Sequence, residues 1–308
     1  MAGLAVVTGG AGFIGSHIVG ELRRRGRAVR VVDNLATGHR SNLDHVDKYE
    51  FIDGDLADLD TCRRAVEGAE VVFHQAAIPS VPRSVKEPLE SHASGPTATL
   101  NVLEAARLAG VRRVVFAASS SAYGDTPTLP KHERMLPRPM SPYAAGKLAG
   151  EHYVRVYART MGLDGASLRY FNVFGPRQDP GSPYSGVIAL FAAAIAAGRR
   201  PMILGDGGQT RDFTYVDNVV HANLLAADSP RPLRGRAINV GTGRRVSLVE
   251  LVAALNRVLG KDLAPEFGPD RPGDVRDSLA CLEHARKVLG YAPIVDFEEG
   301  LRRTLSVV

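Results

Sequence analysis

A glycine-rich turn between an apolar strand and an amphipathic helix is the feature that most constrains how this chain can fold. Residues 4–8 form a short β-branched run, Gly9, Gly12 and Gly15 follow at three-residue intervals, and an amphipathic segment continues to Arg25. This order predicts a dinucleotide-binding unit. In such a unit Gly9 allows the tight turn, Gly12 lets the backbone approach a pyrophosphate, and Gly15 lets the helix pack closely on the strand. Free amides at the start of the helix would face the phosphates.

A second predicted strand, residues 28–33, ends in an acidic residue. Asp33 lies at about the 20-residue distance from the glycine turn at which a dinucleotide-binding unit carries a carboxylate. Because a carboxylate there accepts hydrogen bonds from ribose hydroxyls and repels a 2′-phosphate, the pattern favours NAD over NADP. The alternative is that Asp33 is only a turn residue before Asn34.

Strand-like and helical segments alternate over the first 172 residues. The predicted strands are 4–8, 28–33, 49–53, 70–74, 112–118 and 164–171, and the predicted helices are 13–25, 58–67, 86–109 and 142–161. This alternation predicts an α/β fold with a doubly wound parallel (Rossmann) sheet and right-handed crossovers. Ligands are then expected at the carboxyl ends of the strands, where Gly9, Asp33, Asp55, Ala76 and Ser119 fall.

Beyond Asn172 the pattern loosens. After a loop rich in glycine and proline we expect helices near 186–198, 247–259 and 296–306, a further helix after Val216, and strands at 202–204 and 236–240. The last strand is expected to return to the main sheet.

Tyr143 and Lys147 are four residues apart in a predicted helix, so their side chains share one face. An ammonium at Lys147 favours the phenolate and would lower the pKa of Tyr143 toward neutrality. The serine run 119–121 ends 22 residues before the tyrosine, and one of its hydroxyls would share a substrate oxygen with the phenolate. This combination is typical of proton transfer during oxidation of an alcohol or reduction of a ketone. Taken alone, a tyrosine–lysine pair also arises by chance on surface helices.

Composition indicates a soluble globular protein of one large or two interleaved domains, with 44% hydrophobic and 23% charged residues. No apolar run reaches the roughly 18 residues of a membrane span, and no signal-peptide pattern is present. Cys62 and Cys281 lack metal-like partners, so we expect neither a disulfide nor a metal site, and a cytoplasmic location fits. The net charge of +5 comes from scattered arginines without interleaved aromatic residues, which argues against nucleic-acid binding.

These motifs together resemble the extended short-chain dehydrogenase/reductase family, and the resemblance covers nearly the whole chain. It rests on the G-x-x-G-x-x-G spacing and on Ser119, Tyr143 and Lys147. Further matching motifs are Asp55-Leu56, His74-Gln75-Ala76-Ala77, Leu168-Arg169-Tyr170-Phe171-Asn172, Gln209-Thr210-Arg211-Asp212-Phe213 and Arg271-Pro272-Gly273-Asp274. Within that family the chain looks like the UDP-glucose 4-epimerases.

The resemblance implies a smaller mixed α/β carboxy-terminal substrate domain, interleaved with the first. Residues 1–172, with a returning segment at about 212–243, would form the NAD-binding domain, and residues 173–211 and 244–308 would form the substrate domain. It also implies a homodimer in which helices 86–109 and 142–161 of each subunit form a four-helix bundle. The apolar faces of these helices would equally suit packing against the sheet.

The resemblance also assigns roles to single residues. Tyr143 would be the catalytic base, Lys147 its electrostatic partner and a ligand of the nicotinamide ribose, and Ser119 the donor to the sugar O4. The implied cofactor-binding residues are Gly9, Gly12, Phe13, Ile14, Asp33, Asn34, Thr37, Gly38, Asp55, Leu56, Gln75, Ala76, Ala77, Tyr143, Lys147 and Tyr170. The implied substrate-binding residues are Ser121, Asn172, Gly186, Val187, Arg211, Arg271, Asp274 and Ser278. A structural salt bridge is the alternative for either arginine, with Asp212 beside Arg211 as a candidate partner.

Ser120 and Ser121 discriminate among the reactions of that family. Related dehydratases carry Asp-Glu at these positions and related decarboxylases a nearby glutamate, whereas serine hydroxyls cannot act as general acid and base near neutral pH. The resemblance therefore favours a UDP-sugar 4-epimerase that inverts C4 through a transient 4-keto intermediate with retained NAD. An NAD-dependent nucleotide-sugar dehydratase, decarboxylase or reductase is the alternative enzyme, and a catalytically inactive NAD-binding protein is the alternative class.

The identity of the sugar stays open. Ser278, seven residues after Arg271, matches the family position where a tyrosine excludes N-acetyl groups, and Gly186 is small on the facing loop. Room is therefore expected for UDP-glucose, UDP-N-acetylglucosamine or UDP-glucuronate. The chain also departs from the family where Gly95-Pro96-Thr97-Ala98 replaces the usual Asn-Val-x-Gly helix start, so the asparagine contact expected there is in doubt.

Overall fold

The computed structural model describes residues 3–178, 186–269 and 275–306. Its strands in chain order are β1 (Leu4–Thr8), β2 (Val29–Asp33), β3 (Glu50–Asp53), β4 (Ala69–His74), β5 (Arg113–Ser119), β6 (Asp164–Tyr170), β7 (Val173–Phe174), β8 (Met202–Leu204), β9 (Thr210–Arg211), β10 (Thr214–Tyr215), β11 (Arg236–Val240), β12 (Val246–Ser247) and β13 (Glu266–Gly268). The helices are α1 (Phe13–Arg24), α2 (Leu59–Val66), α3 (Val81–Lys86), α4 (Pro88–His92), α5 (Ala98–Leu108), α6 (Pro142–Thr160), α7 (Val187–Ala196), α8 (Val216–Asp228), α9 (Leu248–Leu259), α10 (Glu283–Leu289) and α11 (Phe297–Leu305).

Seven strands form one sheet in the order β11-β6-β5-β4-β1-β2-β3, and every neighbouring pair is parallel. Most of these strands are nearly continuously buried, as expected for a sheet covered on both faces, and β1, β2, β4 and β5 each contain two or more valines. The edge strand β3 is partly exposed. The predicted α/β fold with a doubly wound parallel sheet is confirmed. The predicted strand at 236–240 is β11, which pairs with β6 at the edge of the sheet.

Two helical layers cover the sheet. On one face α1 packs beside α8, and their buried side chains, such as Ile18 and Val219, join the core of β1 and β4. On the other face α2, α5 and α6 pack side by side, with Val102 and Val154 in the second core cluster. Both layers are tied to the sheet by apolar burial, and the open edge between them carries the carboxyl ends of the strands.

The prediction of a single helix over 86–109 is wrong in detail. The structure has two short helices, α3 and α4, and then a π-helical turn, Ala93–Thr97, that runs into α5. Proline explains both interruptions, because a residue before proline is pushed out of the helical region and proline lacks a backbone donor. Glu87 before Pro88 has φ −130° and ψ 65°, and Pro96 lies within the π-helical turn.

The later part of the chain forms a third apolar cluster around Phe174, Phe213 and Phe297. Helices α7, α9 and α11 surround it, and three two-stranded sheets, β10 with β7, β12 with β9 and β13 with β8, lie beside it. The predicted helices near 186–198, 247–259 and 296–306 correspond to α7, α9 and α11, whereas α10 was not predicted. None of the helices in the described ranges combines the length and apolar character needed to traverse a membrane.

Candidate active site

The glycine turn lies where the strand order of the sheet reverses, between β1 and β4. Gly9 has φ +64°, and a Cβ there would lie 2.7 Å from the backbone nitrogen of Ala76. A Cβ on Gly15 would lie 2.1 Å from the Gly9 carbonyl oxygen, and one on Gly12 would lie 3.1 Å from it. These three positions therefore form a closely packed backbone cradle at the point of a doubly wound sheet where nucleotides bind.

Helix α1 begins directly at this cradle. Gly12 is its N-cap, and no side chain caps the helix there, so the first-turn amides keep their donors for another partner. Phe13 and Ile14 begin the helix and are partly buried. A helix that starts without a side-chain cap, directly after a glycine turn, suits a pyrophosphate, because its free amides and the helix dipole both favour an anion.

Asp33 ends β2 beside the cradle. Its Oδ2 accepts the Ala11 amide at 2.9 Å and its Oδ1 accepts the Leu35 amide at 2.9 Å, so the carboxylate does shape the following turn. Burial raises the pKa of Asp33, and the two amide bonds oppose that rise. Each oxygen keeps a further lone pair with which a ribose hydroxyl can bond.

Several other predicted cofactor-binding residues follow the neighbouring strands β2 and β3. Asn34 Nδ2 donates to Asp55 Oδ2 at 3.1 Å, and both side chains are exposed. Thr37 is exposed, whereas Gly38 is buried so closely that a Cβ would lie 2.9 Å from the Ala11 carbonyl carbon. Leu56 is buried at the end of β3, where its carbonyl accepts Asn101 Nδ2 at 3.0 Å.

Gln75, Ala76 and Ala77 follow β4 and are partly buried opposite the glycine turn. Tyr170 at the end of β6 donates its hydroxyl to Gln75 Oε1 at 3.1 Å and accepts Asn223 Nδ2 at 2.8 Å. Gln75 Nε2 donates in turn to Asn223 Oδ1 at 3.2 Å. This closed ring of hydrogen bonds locks the base of the predicted cofactor cleft.

Tyr143 and Lys147 lie in the first two turns of α6, whose N-cap Ser141 accepts the Ala144 amide at 3.1 Å. Lys147 is buried, and its Nζ donates to the Ala117 carbonyl at 2.7 Å and lies 5.9 Å from the centroid of the Tyr143 ring. Burial lowers the pKa of Lys147 to about 8.

Burial also raises the pKa of Tyr143, and a hydrogen bond with Ser119 opposes that rise. In the protein alone, burial outweighs the Ser119 hydrogen bond, so the pKa of Tyr143 lies above its ordinary value rather than near neutrality. Lys147 Nζ donates to the Ala117 carbonyl and lies over the tyrosine ring, so it can act on a phenolate there only through its charge.

Ser119 ends β5, and Ser121 lies in the 3-10 turn, Ser120–Tyr123, that follows it. The Ser119 Oγ accepts both the Ser121 amide at 3.2 Å and the Ser121 hydroxyl at 2.8 Å. The Ser119 hydroxyl can still donate, and its hydrogen bond is the influence that opposes the burial-raised pKa of Tyr143. Ser121 thus orients Ser119, a role the sequence did not suggest.

The predicted substrate residues lie in separate segments, and the structure brings Asn172 close to Ser278. Asn172, with φ 31°, follows β6 and places its Nδ2 3.4 Å from Ser278 Oγ and 3.5 Å from the Asp212 carbonyl. Gly186 and Val187 are the N-cap and first residue of α7. Arg271 and Asp274 lie outside the described residues.

Asp212 is a structural residue. Its fully buried carboxylate accepts the amides of Thr242, Gly243 and Ala280 and the Thr242 hydroxyl, at distances of 2.6–3.1 Å. Arg211 extends from β9, and its Nη1 donates to the carbonyls of Thr210 at 3.0 Å and Arg276 at 2.8 Å. The Asp212 carboxylate is committed to the loops around it, so Asp212 is not the salt-bridge partner that the sequence suggested for Arg211.

His74 is structural as well. It is fully buried, with Nδ1 2.7 Å from Thr8 Oγ1 and Nε2 3.0 Å from Thr99 Oγ1. Burial, with a smaller contribution from Lys147, lowers its pKa to about 3, so the ring is neutral. His74 connects β1 and β4 to the start of α5 beneath the site.

A cavity of about 770 Å³ elsewhere does not mark this site. It lies between α1 and α8 and is lined in part by His17, His45, Arg177 and His221. Side chains of both charges line it, and Ser119, Tyr143 and Lys147 are not among its lining residues. Within the described ranges, no group of three or more His, Cys, Asp or Glu side chains is arranged to hold a metal ion.

Comparison with known proteins agrees with this geometry. The sequence model of the NAD dependent epimerase/dehydratase family matches residues 5–241. The chain is 44% identical to a UDP-glucose 4-epimerase of Mycolicibacterium smegmatis, covering 98% of this chain and 97% of that protein. A UDP-N-acetylglucosamine 4-epimerase from Methanobrevibacter ruminantium, solved with UDP-N-acetylmuramic acid, superposes with a TM-score of 0.94 at 40% identity, covering 99% of this chain and 97% of the other.

A UDP-glucose 4-epimerase from Thermus thermophilus, solved with NAD, superposes with a TM-score of 0.88 at 42% identity, and 98% of each chain is covered. The resemblance drawn from the sequence motifs is thereby confirmed. This chain belongs to the NAD dependent epimerase/dehydratase family.

Proposed function

We infer that this protein is an NAD-dependent UDP-sugar 4-epimerase that interconverts the two configurations at C4 of the sugar. The observation that carries this function is the placement of Ser119, Tyr143 and Lys147 together at the carboxyl edge of the sheet, beside the glycine cradle. Relatives with 40–44% identity that are named 4-epimerases support it.

The cofactor would be held by the cradle at Gly9 and Gly12, by the free amides before Phe13 and Ile14, and by Asp33. Around these we place the remaining predicted contacts: Asn34, Thr37, Gly38, Asp55, Leu56, Gln75, Ala76, Ala77, Tyr143, Lys147 and Tyr170. When bound, NAD would supply the redox chemistry, because it can take a hydride from C4 of the sugar and give it back. Asp33 disfavours NADP because its carboxylate would lie close to the negatively charged 2′-phosphate in a partly buried site.

The protein's own residues move the proton. Tyr143 takes the C4 hydroxyl proton as its phenolate, and Ser119, oriented by Ser121, holds the same oxygen with a hydrogen bond. Lys147 stabilises the phenolate as an ammonium, a form that it keeps below about pH 8. When the 4-keto sugar turns and is reduced on its other face, Tyr143 returns the proton.

The serines at 120 and 121 support epimerisation over the related reactions. The Ser121 hydroxyl donates to Ser119, and neither Ser120 nor Ser121 offers the carboxylate that elimination of water or loss of carbon dioxide requires. The sugar oxygen can therefore be oxidised and reduced here, but no neighbouring group at these positions removes a C5 proton.

For the substrate we propose a UDP-sugar held by Asn172, Gly186, Val187, Arg211, Arg271, Asp274 and Ser278. An arginine pair suits a diphosphate because charge-assisted bonds hold it firmly while the sugar turns. Ser278 leaves a small side chain beside Asn172, which allows UDP-glucose, UDP-N-acetylglucosamine and UDP-glucuronate to be candidates.

We also propose a cytoplasmic homodimer. The neighbouring helices α3, α4 and α6 carry exposed apolar side chains. Val85 is 65% exposed, Leu89 is 85% exposed and Val156 is 49% exposed. Leu89 and Val156 lie within the segments 86–109 and 142–161 predicted to pair between subunits, whereas Val85 lies just before the first of them. We further divide the subunit into an NAD-binding domain, 1–172 with 212–243, and a substrate domain, 173–211 and 244–308.

The decisive experiment offers the purified protein each of the three UDP-sugars and follows C4 inversion by proton nuclear magnetic resonance. Appearance of the C4 epimer without added cofactor is the expected result. Titration calorimetry with NAD and NADP tests the role of Asp33, and equal affinities for the two would contradict it. Release of reduced cofactor in proportion to product would favour a dehydrogenase instead.

A further inference from the structure

Glu151 is a buried carboxylate on the catalytic helix that has no part in the chemistry above. It lies four residues after Lys147 on α6, so both side chains point toward the sheet. Its two oxygens accept hydrogen bonds from Arg169, from Nε at 2.9 Å and from Nη2 at 2.7 Å. The two side chains are only 6% and 4% exposed.

Arg169 lies in the sheet next to the site. On β6 it is in register with Ala118 of β5 and with Asn239 of β11, one residue before Tyr170. Burial alone would lower the pKa of Arg169, but the hydrogen bonds and charge of Glu151 raise it, so the pair is ionic. The guanidinium carbon lies 4.6 Å from the centroid of the Tyr123 ring.

Tyr123 ends the turn that begins directly after Ser119. Its hydroxyl donates to Asn239 Oδ1 at 2.6 Å. Asn239 Nδ2 then donates to the carbonyls of Lys131 at 2.9 Å and Cys281 at 3.3 Å. A continuous polar chain therefore joins α6, the serine turn and the segment that carries Ser278.

We propose that Glu151, Arg169, Tyr123 and Asn239 form a positioning network that fixes Tyr143 and Lys147 of α6 against Ser119. The proposal rests on the proposed function, since it concerns the geometry of that reaction. Glu151 and Arg169 are positioning residues, and they act through α6 and the serine turn.

The packing of α6 explains why directional bonds are needed. The helix meets the π-helical turn and β5 through Gly146 and Gly150, whose missing side chains leave a smooth surface against Pro96 and Phe116. Apolar burial is not directional, so it does not by itself set the orientation of the polar side chains that α6 carries. A two-pronged carboxylate–guanidinium pair fixes both distance and direction. An ionic pair is not needed for stability alone, because apolar residues of similar volume often serve equally well.

The test uses two variants and one matched control. Glu151→Gln removes the charge, and Glu151→Met with Arg169→Met replaces the whole pair by apolar volume. The control is Asp164→Asn, which weakens a comparable pair: Asp164 Oδ2 accepts Arg113 Nε at 2.7 Å, with 19% and 4% exposure, at the amino ends of β6 and β5. This pair lies at the edge of the sheet opposite the site.

We expect Glu151→Gln to lower kcat about 10- to 100-fold with KM for the UDP-sugar little changed, since small misplacement of reacting groups is costly. The double variant should recover the thermal midpoint of wild type but not its kcat. Ultraviolet difference titration against the same protein carrying Tyr143→Phe should show the Tyr143 phenolate forming at higher pH, because the Ser119 bond is loosened. Asp164→Asn should lower the thermal midpoint and leave kcat and the titration unchanged.

Two results would overturn the network. One is wild-type kcat and Tyr143 titration in both Glu151 variants, and the other is recovery of kcat together with the thermal midpoint in the double variant. If wild type epimerises no UDP-sugar, the proposed function fails instead. The Tyr143 titration needs no substrate, so it still decides the positioning role.

Discussion

At the residue scale, two opposing influences act on the pKa of Tyr143, the proposed base. Burial favours the neutral phenol of Tyr143, and the hydrogen bond from Ser119 favours the phenolate. Because Ser119 already accepts two bonds from Ser121, its proton is free to serve the phenolate or the sugar oxygen. The chemistry of the site therefore depends on a hydroxyl whose orientation is set by its neighbour.

Tyr143→Phe should lower kcat by about 10²- to 10⁴-fold, the range of a lost proton-transfer group, with little effect on NAD affinity. Steady-state kinetics of C4 inversion and NAD titration measure both. Tyr153→Phe is the matched control, since Tyr153 lies on the same helix but is 36% exposed. Near-full turnover by the Tyr143 variant would mean that another group takes the proton.

Lys147→Met should make the NAD-free protein more stable than wild type near pH 7. The folded pKa of about 8 lies below the ordinary 10.5, so burying the ammonium opposes folding below pH 8, and this cost fades as the pH rises through 8 to 10.5. A shift of this size corresponds to about 3 kcal/mol, reduced to about 2 kcal/mol by the lost bond to Ala117. Urea denaturation at pH 7 and pH 10 should show the difference at the lower pH and its narrowing at the higher. A constant difference would contradict the depressed pKa.

Ser278→Tyr should abolish turnover of UDP-N-acetylglucosamine while sparing UDP-glucose. Ser278 is 8% exposed and touches Asn172, so a tyrosine there fills space that a larger sugar would need. The measurement is kcat/KM for UDP-glucose, UDP-N-acetylglucosamine and UDP-glucuronate. Ser278→Ala, which only removes the contact with Asn172, is the control. Unchanged relative rates in the tyrosine variant would place Ser278 away from the sugar.

At the scale of elements, the catalytic helix depends on glycines where it meets its neighbours. A Cβ at Gly150 would lie 2.5 Å from the Phe116 ring, whereas one at Gly95, in the π-helical turn, would meet nothing within 4 Å. Gly150→Ala should therefore lower the free energy of unfolding by about 1–3 kcal/mol and reduce kcat as α6 moves. Gly95→Ala should raise the free energy of unfolding by about 0.5–1 kcal/mol. Denaturation and steady-state kinetics of both variants measure these effects. Equal stabilities would show that the Phe116 ring can move aside without cost.

The bounds of α6 were predictable from sequence, whereas those of the helices before it were not. Ser141 and Pro142 mark a helix start that local chemistry alone specifies, and the structure begins α6 there. The segment 86–109 reads as one helix, yet Pro88 and Pro96 interrupt it. A proline inside a long helical pattern can cap, kink or enlarge a turn. In the π-helical turn observed here Pro96 packs against Gly146 of α6, a contact between segments that the local pattern does not show.

At the scale of the whole molecule, light scattering should report twice the chain mass of 32.9 kDa. The apolar side chains of α3, α4 and α6 would then be covered by the second subunit. Leu89→Glu should yield a monomer because it places a charge in that surface. Phe267→Glu, on the 57% exposed Phe267 of β13, should leave the mass unchanged. A monomeric wild type at working concentration would refute the dimer.

The sequence by itself determined the doubly wound sheet, the glycine turn, Asp33 and the tyrosine–lysine pair, because each is specified by local spacing and conformation. Only the tertiary structure decided how Ser121 orients Ser119, how Asn172 meets Ser278, and how Glu151 reaches Arg169. The Asn172 and Glu151 contacts join residues far apart in the chain, and that of Ser121 needs the fold of the turn after β5. Such contacts depend on how helices and strands pack against one another, and the periodicity of the sequence does not specify that packing.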